Sequence, residues 1–278
     1  MKLFSIECGN FMVDGGAAFG VIPKTLWQKK YPCDEQNLCN VATRSLLIDS
    51  GDKRILIDTG IGTRIPDNFL KYYKLNGENN LLSSLAQFGY SSEDITDVLF
   101  THLHWDHCGG ALVNDTKGNI KLQFPNAQMW VSKSQWEWAM NPNEREFSAY
   151  PNDIIKPLND FNRLNLIEND CQLFPNVEVR QHRGHTNGML VPIVTLGTRK
   201  VVFVGDLIPL SANLAPIYLS AYDIFPLDTI KEKNEILKEI VDGEHILMFQ
   251  HDISIEACTI EFTPKGYKIK ETFDISQL

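Results

Sequence analysis

Residues 97–110 read Asp-Val-Leu-Phe-Thr-His-Leu-His-Trp-Asp-His-Cys-Gly-Gly, and this stretch limits what the chain can fold into more than any other. His102, His104, Asp106 and His107 place three imidazoles and a carboxylate within six positions. Packing does not absorb such a cluster, because each buried ring would need its own polar partner. Metal ligation does. The apolar run before it reads as the end of a buried strand, so the histidines leave the strand's carboxyl end in a loop, where α/β proteins gather ligands. In extended backbone His102 and His104, two apart, point the same way and can share one ion. Asp106 and His107 come after the chain has turned and can serve a second divalent ion, such as zinc. Any further ligands must come from far along the chain.

His-x-His-x-Asp-His followed by Gly-Gly resembles the metal-binding signature of the metallo-β-lactamase superfamily of hydrolases. The later members of that signature are a His after a Gly, an Asp at a strand end and a final His. They are present here as His185 in Arg183-Gly184-His185-Thr186, Asp206 in Phe203-Val204-Gly205-Asp206, and His251 in Phe249-Gln250-His251-Asp252. Asp58-Thr59-Gly60 also fits the pattern, so the resemblance spans positions 58 to 251. It implies an α/β chain folded as a four-layer αββα sandwich, a single domain over 1–278.

The same resemblance implies a dinuclear centre. His102, His104 and His185 would hold one ion and Asp106, His107 and His251 the other, with Asp206 bridging. Asp58 would accept the outer N–H of a metal-bound histidine. Two divalent ions then supply a bridging hydroxide near neutral pH and polarise the substrate. Zinc is the default, and iron, manganese or cobalt fits the same ligands. Tyr218 and Tyr222 are the phenols expected to donate to a developing oxyanion. His182 and His245 lack the signature around them and read as structural, and Cys108 reads as a small buried neighbour of His107.

Asp206 followed by Ile208-Pro209 and Ala221-Tyr222-Asp223 resembles the branch that holds quorum-quenching lactonases and organophosphate hydrolases. The expected reaction is hydrolysis of a lactone or carboxylic ester, with phosphotriester hydrolysis second. Iron-dependent oxidoreductases share the fold, but their patterns depart from this one: the flavin-linked reductases have Glu where this chain has His104, and the dioxygenases lack the full second site.

A formal charge of -9 argues against a nucleic-acid groove, which would be expected to show a basic face. The partner expected is a small-molecule substrate. The first residues meet a charge before a signal-peptide core could form, and no apolar run approaches membrane-spanning length, so a cytoplasmic protein with no membrane contact is expected. Six cysteines without a Cys-x-x-Cys pair suggest reduced thiols.

Elsewhere the pattern predicts short strands at 2–6 and 11–13, a strand pair at 41–48 and 54–57, and a helix over 79–88. A helix over 132–140 carries Trp136 and Trp138, residues that more often pack a core than line a cleft. The segment 23–40 reads as a loop that is a lid, a homodimer contact or an ordinary surface excursion. Strands at 189–196 and 200–204 lead to Asp206, and a charged amphipathic helix at 228–241 precedes the strand at 246–249 that delivers His251.

Overall fold

Short apolar runs with no polar alternation are what parallel strands buried on both faces require, and Arg54–Ile57 and Asp97–Leu99 are such runs in the middle of a six-stranded sheet. In the computed structural model, which describes residues 1–278, the order is Lys2–Asp14, Leu38–Asp49, Arg54–Ile57, Asp97–Leu99, Gln128–Ser132 and Leu164–Ile167. The last four run parallel, with Ile57 opposite Leu99 and Leu99 opposite Trp130. Their carboxyl ends are therefore level. Asp58 and the histidine loop leave the sheet at the same edge, Asp58 N–H donating to the Leu99 carbonyl at 2.9 Å.

The chain groups into two compact units: Met1–Asn10 with Thr43–Asn169, and Phe11–Ala42 with Asp170–Leu278. The first holds the parallel strands and two helices whose starts are written locally. Asn80 and Ser83 form a reciprocal capping box for Leu81–Gln87, and the Ser132 hydroxyl accepts from Gln135 N–H to start Lys133–Met140. Instead of two short strands at the amino terminus there is one, Lys2–Asp14. Gly9, at φ +102°, lets it bend without ending, a conformation strained for any other residue. A helix at Asn152–Asp160 fills the weakly patterned region after the tryptophans.

The second unit carries a seven-stranded sheet in the order Gly266–Phe273, Ala257–Thr263, Ile246–Met248, Arg199–Phe203, Met189–Leu196, Val177–His182 and Cys171–Phe174. Only Arg199–Phe203 and Ile246–Met248 pair in parallel, with Phe203 opposite Met248. That exception matters. It sends Asp206 and His251 out of the same edge. The helix Pro226–Asp242 starts with Pro at its first position and lays Ile236, Leu237 and Ile240 against Val191, Val202 and Leu247.

Lys233 is the one charged residue of that helix turned fully inward, 1% exposed. Its ammonium donates to the carbonyls of Asn213, Ala215 and Tyr218 at 2.6, 3.1 and 2.9 Å, tying down the loop beyond Asp206. Lys233→Met would strand three acceptors and is expected to cost about 3 kcal/mol in urea unfolding. Burial pulls the Lys233 pKa from 10.5 down to about 7, with Asp223 acting in the opposite direction. Between those values the unfolded chain binds the extra proton, so this residue makes stability rise with pH across that window. The slope should vanish in Lys233→Met.

The segment 23–40 is held down rather than extended. Trp27 and Tyr31 are buried, Trp27 stacks on Phe19 at 4.9 Å, and the Tyr31 hydroxyl donates to the Asn40 carbonyl at 2.8 Å. No helix is long and apolar enough to cross a membrane.

Candidate metal centre

Each unit brings part of the predicted donor set together, and each part is best understood through the hydrogen bonds behind the rings. In the first unit Asp58 lies beyond the strand Arg54–Ile57, wholly buried, at φ +59°. One carboxylate oxygen accepts from the Thr101 N–H at 2.7 Å, and the other accepts from the Thr101 hydroxyl at 2.7 Å and faces His107 Nδ1 at 3.0 Å. A carboxylate accepts, so His107 carries its proton on Nδ1 and turns the lone pair of Nε2 outward. Because the Thr101 hydroxyl has given its proton to Asp58, it can accept from His102 Nδ1 at 3.1 Å. His102 is thereby set in the same tautomer.

Behind His104 stands Glu146, which no sequence signal marked. Its Oε1 is 3.4 Å from His104 Nε2, and its Oε2 accepts from Trp138 Nε1 at 2.6 Å and Asn143 Nδ2 at 2.8 Å. Trp138 thus helps to set a site residue as well as to pack its helix. His104 Nδ1 faces His102 Nε2 at 2.9 Å, and a proton on His104 Nε2, the nitrogen nearer the Glu146 carboxylate, leaves Nδ1 an acceptor. Two lone pairs meet there. Asp106 sits beside them, Oδ2 at 3.6 Å from His107 Nε2. Cys108 is fully buried, its thiol donates to the Leu103 carbonyl at 3.4 Å, and burial pushes its pKa well up, away from thiolate ligation.

In the second unit Asp206 lies between two histidines. Its Oδ2 is 3.1 Å from His185 Nε2 and its Oδ1 is 2.9 Å from His251 Nε2. The far nitrogen of each ring is already committed. His251 Nδ1 is 2.7 Å from the Ala42 carbonyl, which can only accept, and His185 Nδ1 is 3.0 Å from Asp223 Oδ1. In the neutral ring, the form that ligates a metal, each Nε2 turns a lone pair toward a carboxylate oxygen, acceptor against acceptor.

That arrangement is the test of whether a metal fits, and it does. Only a positive charge between the groups makes such contacts favourable. Ligand atoms about 2.0–2.1 Å from one tetrahedral zinc ion stand roughly 3.3 Å apart, close to the separations seen in both units. The donors are imidazole nitrogens and carboxylate oxygens, the set expected for zinc and its first-row neighbours.

Asp252 shapes the His251 turn: one oxygen accepts from Ser211 N–H at 2.9 Å and the other from Ser254 and Ile255 N–H at 2.9 and 2.8 Å. Of the two predicted phenols, Tyr218 is half-buried with the Lys30 ammonium 4.9 Å over its ring, and Tyr222 is exposed one position before Asp223. His182 lies 3.7 Å from Glu232, and His245 stands at the far end of the helix beside Gly243, neither in a predicted donor set.

A family model described as the metallo-beta-lactamase superfamily matches residues 41–251. An N-acyl homoserine lactonase from a Bacillus species is 27% identical over 271 residues, 92% of this chain and 94% of that relative. A solved structure described as a probable metal-dependent hydrolase from Staphylococcus aureus superposes with a TM-score of 0.85 at 29% identity, covering 98% of both chains. AidC, described as a dizinc quorum-quenching lactonase, superposes with a TM-score of 0.79 at 24% identity over 98% of this chain and 94% of its own.

Proposed function

The chain belongs to the metallo-beta-lactamase superfamily of metal-dependent hydrolases, and from that premise we propose that it opens a lactone or cleaves a carboxylic ester at a two-metal centre. In this reading His102, His104, His185 and Asp206 form one donor set, and Asp106, His107 and His251 form the other. Asp206, with one oxygen toward His185 and one toward His251, is the bridge. The observation that carries the proposal is this carboxylate between two imidazoles whose other nitrogens are already bonded.

When bound, two divalent ions lower the pKa of a water held between them and polarise the substrate's carbonyl oxygen. The chain's own part is to fix and charge the site. Asp58 and Asp223 hold His107 and His185 in the tautomers that ligation needs and Glu146 sets a carboxylate beside His104, so little reorganisation remains for the reaction itself. Asp206 and Asp106 bring negative charge that would balance the cations, and the Asp206 carboxylate would be available to accept a proton. Tyr222, exposed one position before Asp223, is assigned as the donor to the oxyanion, with Tyr218, four residues earlier in the same segment, as the second candidate. Tyr222→Phe is expected to lower kcat about a hundredfold with little change in KM, since the bond would form only as charge develops.

Support for the lactone or ester class comes from the lactonases this chain resembles along nearly its whole length. The test is proton release by zinc-loaded protein on acyl-homoserine lactones, simple lactones, aryl esters, a phosphotriester and a β-lactam. Turnover of lactones or esters that a chelator abolishes and added zinc restores is the expected result. Turnover of the phosphotriester alone would replace the substrate class. Activity that survives chelation would overturn the mechanism.

A further inference from the structure

His185 stands in a six-residue connection between the antiparallel strands Val177–His182 and Met189–Leu196, whose last paired residues are His182 and Met189. No ladder holds such a connection, and its backbone N–H and C=O groups need partners from elsewhere. The helix Pro226–Asp242 and the residues before it supply them. Ile224 N–H donates to the His185 carbonyl at 3.0 Å, and Phe225 N–H donates to the Gly184 carbonyl at 2.9 Å. Gly184 lies so close to the helix that a Cβ there would stand 2.4 Å from Thr229 Oγ1. The opposite side of the turn rests on one side chain. Glu232 Oε1 accepts from Arg183 N–H at 2.8 Å and Oε2 accepts from Gly184 N–H at 3.0 Å.

We propose that Glu232 is a positioning residue for His185: by gripping two successive backbone N–H groups it sets the turn so that the imidazole meets Asp223 on one side and the metal on the other. The inference rests on His185 being a metal ligand. Glu232 is suited to the task. Burial pushes its carboxyl pKa up, yet hydrogen bonds from His182 and from the Arg183 and Gly184 N–H groups outweigh that and hold it below the usual value. It stays an anion with two acceptor oxygens. The two N–H donors diverge from one carboxylate, so no neutral side chain of the same size reproduces the grip: the glutamine amide offers one acceptor and would turn N–H against N–H at the other. His182 Nδ1 lies 3.7 Å from Glu232 Oε2 and supports its negative charge, while the grip itself is made to the two backbone N–H groups.

The experiment is a titration of metal-free protein with cobalt(II), read by its visible absorption and by the rise in Tm that the metal produces. Glu232→Gln is expected to weaken one of two equivalents by tenfold to a hundredfold, as changes behind a metal ligand do, to alter the spectrum and to shrink the metal-linked rise in Tm. His182→Ala, which leaves both gripped N–H groups and both Glu232 oxygens in place, should weaken metal binding much less than Glu232→Gln. Glu232→Asp, which keeps the charge one methylene further back, should fall between, and it takes the place of Glu232→Gln if that variant does not fold. Wild-type affinity and spectrum in Glu232→Gln, or in Glu232→Asp where it stands in, overturn the proposal. His185→Ala run in parallel separates the two levels: if it retains both equivalents, the assignment of His185 as a ligand fails, and the role of Glu232 falls with it.

Discussion

Asp206→Ala is expected to lose bound metal and turnover together, with kcat/KM falling by at least about a thousandfold. Asp206 faces His185 Nε2 with one oxygen and His251 Nε2 with the other. Its removal takes away a ligand and a countercharge from both proposed donor sets. The check is metal analysis of the purified variant beside its rate on the best substrate from the panel. The fold should survive, because alanine relieves two acceptor-against-acceptor contacts. A variant that kept two equivalents of metal and its rate would rule out the bridging assignment.

Asp58 separates stability from metal affinity. Asp58→Ala is expected to destabilise the protein by about 3–5 kcal/mol in urea unfolding, because the Thr101 N–H, the Thr101 hydroxyl and the His107 ring are left buried without an acceptor. The loss also includes backbone strain, since position 58 has φ +59°, which alanine tolerates poorly. Asp58→Asn keeps the shape and tolerates that φ, and its carbonyl oxygen can still accept from Thr101. What it lacks is a second anionic oxygen for His107 Nδ1–H. The protein should fold, with metal affinity lower by about tenfold to a hundredfold. Equal metal affinity in Asp58→Asn and wild type would show that Asp58 acts on the fold alone.

The proposed donors can be read from the sequence because ligand chemistry restricts residue types and the strand ends restrict their spacing. His102, His104, Asp106 and His107 leave one parallel strand, and Asp206 and His251 leave a parallel pair. The residues behind them cannot. Glu146, Asp223 and Glu232 stand 42, 38 and 48 positions from His104, His185 and Gly184, in stretches whose own pattern is loop or solvated helix. A carboxylate on such a segment looks the same in a sequence whether it meets water or a ring nitrogen. Asp58 was readable only because its tripeptide belongs to the family signature. The helices and most strands followed from periodicity, whereas the single strand Lys2–Asp14 did not, since a glycine at φ +102° reads as a break. The burial of Trp27 and Tyr31 in 23–40 is a tertiary property that local pattern does not encode.

Glu232 and Lys233 are neighbours on one helix and reach in different directions, Glu232 to the turn of His185 and Lys233 to the loop that follows Asp206. One rigid rod thus carries the handles of two loops. Its packing face against Val191, Val202 and Leu247 becomes a lever arm. A change of side-chain volume there would tilt both loops in concert, and such distant substitutions would tune the spacing of His185 and Asp206 while leaving every donor in place.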